Sequence, residues 1–207
     1  MQRRLIIWIV LIAIYGAFLT WHFSFKPPLT EEEVTAFIAG EDPEGAPEFA
    51  STEAFVSFLS EDNGRPFYML NLIELRPEAL YPEGYETDIT SAEEADAAYG
   101  NQVVRLLIAR GSYPLLRMAP HEVLIDSVGG AAASFDHAIV VRYRSRRDLL
   151  DMITSPEFQA AEVHKWASVE RTLVAPTSSI GATPLSLIVP IALLGAGVLL
   201  TRRRSLH

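Results

Sequence analysis

The predicted fold of this chain is decided by residues 135–177, FDHAIVVRYRSRRDLLDMITSPEFQAAEVHKWASVERTLVAPT. The first ten residues are rich in β-branched and aromatic side chains, which predict a strand. Ser145 and Ser155 each precede a helical pattern as an N-cap, and Pro156 takes the first helical position, where its missing N–H donor costs nothing. Residues 171–176 predict a last short strand. The stretch therefore predicts strand, helix, helix, strand.

Three further elements precede this stretch. Residues 66–75, PFYMLNLIEL, have the length and composition of a strand. Ser91 then caps a helical pattern in which Glu94 completes a capping box, and Gly111 ends that pattern. A strand is predicted over residues 115–127, interrupted by a proline. If the two consecutive helices after Ser145 are counted as one, the order from the first of these strands onward is strand, helix, strand, strand, helix, strand.

This order predicts an α+β fold. One antiparallel sheet with helices on one face, the ferredoxin-like arrangement, satisfies it. We expect this domain to span residues 51–176 and to begin with an amphipathic helix over residues 51–64. Residues 23–50 are predicted to be a linker that contains a short helix, which starts at a capping box formed by Thr30 and Glu33.

Two stretches resemble a known family. Residues 98–112, AYGNQVVRLLIARGS, and residues 135–177 are similar to the domain-of-unknown-function family 1330 of the dimeric α/β-barrel superfamily. The resemblance runs from about residue 67 to residue 176, roughly half the chain. It implies that the ferredoxin-like sheet is half of a barrel, closed by a second copy whose sheet meets the first face to face. It implies no activity, because none is assigned to the family.

The chain departs from the family pattern at three places. Arg144 stands where members often have a proline or a glutamate before the serine. Gly111 and Ser112 stand where members have two glycines. Typical members also lack apolar segments at both ends, so the resemblance covers the central domain alone.

The N-terminal segment predicts a membrane anchor. Arg3 and Arg4 precede an apolar run, and a transmembrane helix is predicted over residues 5–22. Its unbroken part reaches roughly 25 Å as a helix, near the thickness of a bilayer core. An uncleaved signal anchor is favoured because bulky residues follow the small pair Gly16-Ala17. A cleaved signal peptide is the alternative.

The C-terminal segment predicts a second transmembrane helix over residues 184–201, joined to the domain by a linker over residues 177–183. Arginines at the outer end of each apolar run place residues 1–4 and the basic tail 202–207 in the cytoplasm. The domain between the two runs is then expected on the extracytoplasmic side of the cytoplasmic membrane. A cleaved protein-sorting tail is the alternative for this end.

The charge of the central part excludes some partners. All 26 acidic residues lie between Glu31 and Glu170. The stretch from Lys26 to Arg171 also contains 12 of the 17 basic residues, so its net charge is −14. Such a domain repels phosphate backbones, so nucleic acid is not expected as a partner. The chain has no cysteine, which excludes disulfides, thiolate catalysis and cysteine metal ligands.

Three residues are candidates for a pocket. Asn71 is a polar amide in an apolar strand, on the same face as Met69 and Ile73, and such an amide is either hydrogen-bonded or lines a pocket. Tyr99, on the predicted central helix, supplies a hydroxyl for which the family resemblance favours a pocket-facing position. His164 lies off the apolar stripe of its helix, so it can act as a base or be a solvated histidine.

One basic cluster interrupts the acidic domain. Arg144, Arg146 and Arg147 surround Ser145 at a predicted helix start, which makes them a possible anion site. A surface counterbalance to the acidic residues is the alternative.

Metal and cofactor motifs are missing from the sequence. The only adjacent histidine–acid pairs are His121-Glu122 and Asp136-His137, and neighbours on a strand point to opposite faces. The sequence has no HExxH, P-loop or dinucleotide fingerprint. We therefore predict no metal and no cofactor, although haem is not excluded because haem ligands have no recognisable pattern here.

These observations favour a non-enzymatic function. The first hypothesis is a membrane-anchored homodimer that binds or senses a small ligand, dimerising through the sheet face that bears Met69, Asn71 and Ile73. An oxygenase or isomerase of the dimeric α/β-barrel type is the second. A purely structural tethered dimer is the third. Only the resemblance supports the second.

Overall fold

The computed structural model describes residues 2–40, 52–121, 135–177 and 185–202. The chain forms two compact units: Met1–Phe25 with Ser179–His207, and Lys26–Ser178. In chain order the helices and strands are α1 (Gln2–His22), α2 (Glu31–Gly40), α3 (Thr52–Ser60), β1 (Phe67–Leu75), α4 (Ala92–Ala109), β2 (Tyr113–Met118), β3 (His137–Tyr143), α5 (Arg146–Ile153), α6 (Pro156–Ser168), β4 (Val169–Thr177) and α7 (Leu185–Arg202).

The predicted α+β class and antiparallel sheet are confirmed. The four strands form one sheet in the order β2-β3-β1-β4, and every neighbouring pair is antiparallel. In the central strand β1, Asn71 lies opposite Ile139 of β3 and Val174 of β4. This register fixes which side chains share a face, because side chains alternate along each strand.

Local capping sets the helix starts, as the sequence predicts. The hydroxyl of Ser91 accepts a hydrogen bond from the backbone N–H of Glu94 at the start of α4. Ser145 and Ser155 do the same for α5 and α6. Gly111 has φ +68° just after α4, in the left-handed region that suits glycine. Each cap satisfies an amide that the helix itself leaves without a partner.

The core lies between the sheet and the helices. Phe67 and Met69 of β1, with Val141 and Tyr143 of β3, form one buried apolar cluster with side chains of α4, α5 and α6. The rings of Phe67 and Tyr143 stack with their centroids 5.1 Å apart. By strand alternation, Asn71 lies on this helix-facing side as well.

The predicted dimer face is therefore wrong. Met69 and Ile73 are buried, and the side of the sheet that they share with Asn71 is the side covered by helices. Alternation along the strand correctly groups these three residues. It does not determine which of the two groups faces the helices, because both alternating sets of β1 are mainly apolar.

The other side of the sheet, called the open face below, is mainly apolar, with Arg142 toward one end and the Glu74–Arg171 pair at the other. No helix of the Lys26–Ser178 unit covers it within the described ranges. Its apolar residues are Tyr68, Leu70, Leu72, Leu116, Met118, Ala138, Val140, Leu173 and Ala175. Leu116, Met118 and Leu173 are 47%, 45% and 49% exposed.

The compact unit extends further toward the N-terminus than the predicted domain. Val34 of α2 and Leu59 of α3 form a second buried cluster with Leu150 of α5. Part of the segment predicted as a linker is thus packed against the domain. Strand β2 ends at Met118, and the rest of the strand predicted over residues 115–127 lies mostly outside the described residues.

In the other unit, α1 has 21 residues and is the one described helix long and apolar enough to cross a membrane. The apolar part of α7 is shorter, Leu185–Thr201, so a second membrane span is not confirmed. The two helices pack together: the Tyr15 hydroxyl donates to the Ser186 carbonyl oxygen over 3.4 Å, and Gly197 lies against the Trp8 indole.

Candidate functional site

Asn71 is half-buried on the helix-facing side of β1. Its amide nitrogen donates to the carbonyl oxygen of Met69 over 3.2 Å and to that of Ile139 over 3.5 Å. Both acceptors are backbone groups of the sheet itself. The amide is therefore hydrogen-bonded without a ligand.

Tyr99 lies on α4 and packs against the main core. Its ring meets Phe158 of α6 edge to face, with centroids 6.4 Å apart. Burial raises the pKa of the Tyr99 hydroxyl, and the nearby Tyr143, Glu162 and Asp96 act in the same direction. The hydroxyl therefore stays protonated, and it makes no hydrogen bond to any residue that the structure describes.

Lys165 of α6 lies beside Tyr99, and no motif in the sequence singles it out. Its ammonium nitrogen lies 5.8 Å from the centroid of the Tyr99 ring and 4.7 Å from that of the Trp166 ring. Burial lowers the pKa of the Lys165 amine, and Glu162 on the same helix partly opposes the change. Tyr99 and Lys165 meet where α6 packs beside α4, and Asn71 lies on the helix-facing side of β1. We call these three residues the interlayer group.

His164 belongs to a different cluster. Its Nδ1 lies 2.8 Å from the Tyr81 hydroxyl, and its ring stands edge-on to Tyr81 and Tyr85, which stack on each other. These tyrosines belong to the loop between β1 and α4. His164 thus contacts this loop, whereas Tyr99 packs against Phe158 and Asn71 bonds within the sheet.

The same loop borders a surface cavity of about 510 Å³. Its lining residues are Leu80, Tyr81, Pro82, Val163, Trp166 and Ala167. Two backbone hydrogen bonds hold the loop on the end of α6: Arg76 donates to Ser168 over 2.8 Å, and Leu80 donates to Ala167 over 2.9 Å. Trp166 forms a wall of this cavity and also contacts the Lys165 amine, and its own N–H donates to Glu162 over 3.0 Å.

A second polar cluster lies where α4 begins. Arg117 of β2 donates to the Asp96 carboxylate over 3.1 Å, and the same guanidinium nitrogen lies 3.1 Å from His137 Nε2. The neighbouring Asp136 instead accepts a hydrogen bond from the Leu75 amide over 2.8 Å. Asp136 and His137 thus have separate partners, and no group of three potential metal ligands occurs among the described residues.

The three arginines of the predicted anion site are bound within the chain. Arg144 pairs with Asp148, and Arg147 pairs with Glu33 at 2.6 Å and 2.8 Å. Arg147 also donates to the carbonyl oxygens of residues 27 and 28, each over 2.8 Å. Arg146 donates to the Glu61 carbonyl oxygen and lies over the Phe58 ring. These donors hold α5 to the preceding segments, a role that the sequence did not indicate.

Two solved structures are similar to this chain over most of their own length. The RPA0582 protein of Rhodopseudomonas palustris, of unknown function, is 29% identical with a TM-score of 0.57, over 64% of this chain and 96% of that chain. The methylated RPA0582 protein is 30% identical with the same TM-score, over 65% and 96%. This chain belongs to the RPA0582 family.

RPA0582 is itself a protein of unknown function, so this membership shows the fold and not an activity. A dimeric protein of unknown function and ferredoxin-like fold from Bacteroides fragilis is 15% identical, with a TM-score of 0.31, over 55% of this chain and 96% of that chain. No family model and no curated protein matches the chain, so the resemblance to family 1330 remains a prediction.

Proposed function

We propose that this chain is a membrane-tethered homodimer that binds a small ligand between its sheet and its helices. The Tyr99 hydroxyl carries the ligand-binding part of the proposal. Its ring is half-buried against the core, and the hydroxyl has no hydrogen-bond partner among the described residues. The hydroxyl stays protonated, so it is available to donate a hydrogen bond to a bound molecule.

The surroundings of Tyr99 suit a small, mainly apolar ligand. Phe158 lies against the Tyr99 ring, and the Lys165 ammonium lies over the Tyr99 ring with Trp166 beside it. Small-molecule sites usually combine apolar walls with a small number of polar side chains. The acidic charge of the domain disfavours anions, and the Lys165 ammonium over the Tyr99 ring disfavours cations, so an uncharged ligand is expected.

The open face supports self-association. Soluble monomers rarely expose a continuous apolar surface of this kind, because it promotes aggregation. The charged pair at one end of the face, Glu74 and Arg171, is already bound internally at 2.5 Å. The end of the face that bears Glu74 and Arg171 therefore has no unpaired charge. Such an apolar face can pack against the same face of a second copy, which favours a homodimer with two-fold symmetry.

The α1 helix supports the tether. It is long and apolar enough to span a bilayer, and Arg3 and Arg4 precede its apolar part. Basic residues favour the cytoplasmic side, so the domain that follows is expected outside the cytoplasm.

Thermal unfolding of the full chain in detergent tests the ligand site. The probes are uncharged alcohols, aldehydes and ketones of a few carbon atoms. We expect at least one probe to raise the unfolding temperature of the wild type, and Tyr99→Phe to reduce that shift. Tyr85→Phe is the matched control, because Tyr85 lies in the His164 cluster. The proposal fails if no probe shifts the transition, or if Tyr99→Phe leaves the shift unchanged.

A further inference from the structure

The C-terminal helix α7 contains a proline that removes one of its backbone hydrogen bonds. Pro190 lies inside the helix. An α-helix joins each backbone N–H to the carbonyl oxygen four residues earlier. Because proline has no N–H, Pro190 leaves the carbonyl of Ser186 without its helical donor. Inside a bilayer no water replaces such a donor, so a proline of this kind disfavours insertion unless a neighbouring helix supplies one.

Tyr15 of α1 supplies that donor. Its hydroxyl donates to the carbonyl oxygen of Ser186 over 3.4 Å, across 171 residues of sequence. The contact forms only when α1 packs beside α7. Neighbouring helices satisfy the carbonyls that prolines leave free in transmembrane helices. The Tyr15 hydroxyl therefore takes the place of the N–H that Pro190 lacks.

A second contact between the two helices requires a glycine. The indole of Trp8 lies so close to Gly197 that a Cβ atom at this position would overlap its six-membered ring. Gly195, one turn of sequence away on the same helix, has nothing within 4 Å of its Cβ position. Small residues at a helix interface allow two helices to approach closely in a membrane. Gly197 thus has a packing role that Gly195 does not share.

The two contacts lie on one face of each helix. Trp8 and Tyr15 are seven residues apart, close to two helical turns, and Ser186 and Gly197 are eleven apart, close to three. The later residue of α1 contacts the earlier residue of α7, so the helices run antiparallel. A hydrogen bond and a steric fit, three turns of α7 apart, therefore fix the same pairing.

The outside of the helix pair suits hydrocarbon. Ile12 of α1 and Ile191 of α7 are each 68% exposed. An apolar surface of this kind is unfavourable in water and favourable among lipid chains. The apolar part of α7, Leu185–Thr201, has 17 residues and reaches roughly 25 Å, somewhat less than the bilayer core of about 30 Å. By length and composition α7 is therefore a marginal span by itself.

We propose that α7 crosses the bilayer as the antiparallel partner of α1. The Tyr15–Ser186 hydrogen bond offsets the defect at Pro190, and the Trp8–Gly197 contact fixes the closest approach of the two helices. The inference deepens the proposed tether, on which it rests, by making α7 a second anchor that depends on the first. The domain between the helices is then held to the membrane at both of its ends.

Cysteine labelling tests whether α7 crosses. The chain has no cysteine, so Ser205→Cys supplies the only thiol. Spheroplasts that contain the full chain are treated with a membrane-impermeant maleimide before and after permeabilisation. We expect Ser205→Cys to be labelled only after permeabilisation, because α7 places the basic tail in the cytoplasm. Ala46→Cys, on the opposite side, should be labelled before it. Labelling of Ser205→Cys in intact spheroplasts overturns the crossing.

Two leucine variants test the steric contact. Gly197→Leu and Gly195→Leu add the same apolar side chain, which by itself favours insertion, but only the first meets Trp8. In the Ser205→Cys background we expect Gly197→Leu to raise the fraction labelled in intact spheroplasts about tenfold, and Gly195→Leu not to raise it. The same labelled fraction in both variants would reject the contact.

A pair of substitutions tests the hydrogen bond. Tyr15→Phe removes the donor and should raise the labelled fraction about threefold. Pro190→Leu restores an N–H to the Ser186 carbonyl, so Tyr15→Phe should have no effect when Pro190→Leu is present. An effect of Tyr15→Phe that is the same with and without Pro190→Leu would show that the hydroxyl does not replace the missing N–H, and would reject that role.

Extraction of the membranes with alkaline sodium carbonate separates this inference from the proposed tether. Release of the wild-type chain overturns both, because neither helix then anchors it. A chain that stays in the membrane while Ser205→Cys is labelled in intact spheroplasts overturns the crossing of α7 and leaves the α1 tether intact. Retention with a protected Ser205→Cys, and no effect of Gly197→Leu or Tyr15→Phe, overturns the dependence of α7 on α1.

Discussion

Two parallel hydrogen bonds join Arg144, which precedes the Ser145 cap, to Asp148 in the first turn of α5. Arg144 Nε donates to Asp148 Oδ2 over 2.7 Å, and Nη2 donates to Oδ1 over 2.6 Å. The carboxylate is fully buried and also accepts a hydrogen bond from the Ser145 hydroxyl over 2.7 Å. The backbone N–H of Arg144 donates to the Ser112 hydroxyl over 3.0 Å. The pair thus joins the end of β3, the start of α5 and the turn before β2.

Asp148→Asn should destabilise the fold. The amide keeps the shape of the side chain but removes the charge that pairs with Arg144, and breaking a buried ion pair costs about 3 kcal/mol of unfolding free energy. Urea unfolding of the full chain in detergent, followed by circular dichroism, measures the change. Glu74→Gln is the control, because Glu74 and Arg171 form a more exposed pair that contributes at most about 1 kcal/mol. Equal losses in the two variants would contradict the role assigned to Asp148.

Stability should fall in acid. Burial alone would raise the pKa of Asp148, but hydrogen bonds from Arg144 and Ser145 outweigh it and hold the pKa below the ordinary value of 3.8. Because the folded pKa is the lower one, this contribution is complete above the unfolded pKa and is lost as the pH falls through the folded pKa. Hydrogen bonds from Arg147 lower the pKa of Glu33 to about 2, with the same sign.

Unfolding free energy measured between pH 7 and pH 2 tests this linkage. We expect a plateau above about pH 5 and a decline below about pH 4. The decline should be shallower in Asp148→Asn, which has no carboxylate at that position to protonate. An identical acid profile in the variant would mean that Asp148 does not contribute.

Leu70→Glu should convert the dimer into a monomer. Leu70 lies in the middle of the open face, between Val140 and Ala175, so a carboxylate there would be buried without a partner in the dimer. Sedimentation velocity of the full chain in density-matched detergent measures the mass. Ile108→Glu is the matched control, since Ile108 is an exposed aliphatic residue on α4. A wild type that is monomeric at micromolar concentration rejects the dimer itself.

Asn71→Leu should leave the dimer intact. Asn71 is on the helix-facing side, so the substitution changes packing between the layers and not the open face. We expect the unfolding free energy to rise by about 1 kcal/mol, because a half-buried amide is replaced by an apolar side chain. Sedimentation velocity measures whether the dimer persists, and urea unfolding measures the unfolding free energy. A weakened dimer would argue against the assignment of the faces.

Reporter fusions at Ala46 and after His207 should lie in opposite compartments. Arginines at the outer ends of both apolar runs favour an extracytoplasmic domain and a cytoplasmic C-terminus. An alkaline phosphatase fusion should be active at Ala46 and inactive after His207, and a cytoplasmic fluorescent reporter should show the reverse. Finding Ala46 in the cytoplasm would reject this topology.

Local chemistry allowed the sequence to determine the order of the elements. A cap such as Ser91 acts on an amide three residues away, and Pro156 restricts only its own turn. Strand composition likewise located β1 and β3. Because these signals depend on neighbours along the chain, they are available before any tertiary contact forms.

Tertiary structure alone decided which face of the sheet is covered and which polar residues meet. Both faces of β1 are mainly apolar, so the pattern could not place Met69 inside or Leu70 on the open face. Lys165 and Tyr99 are 66 residues apart in the sequence and meet only when α6 packs beside α4. Such contacts depend on which side chains are buried and on which distant residues they then touch. The spacing of residues along the chain determines neither of these.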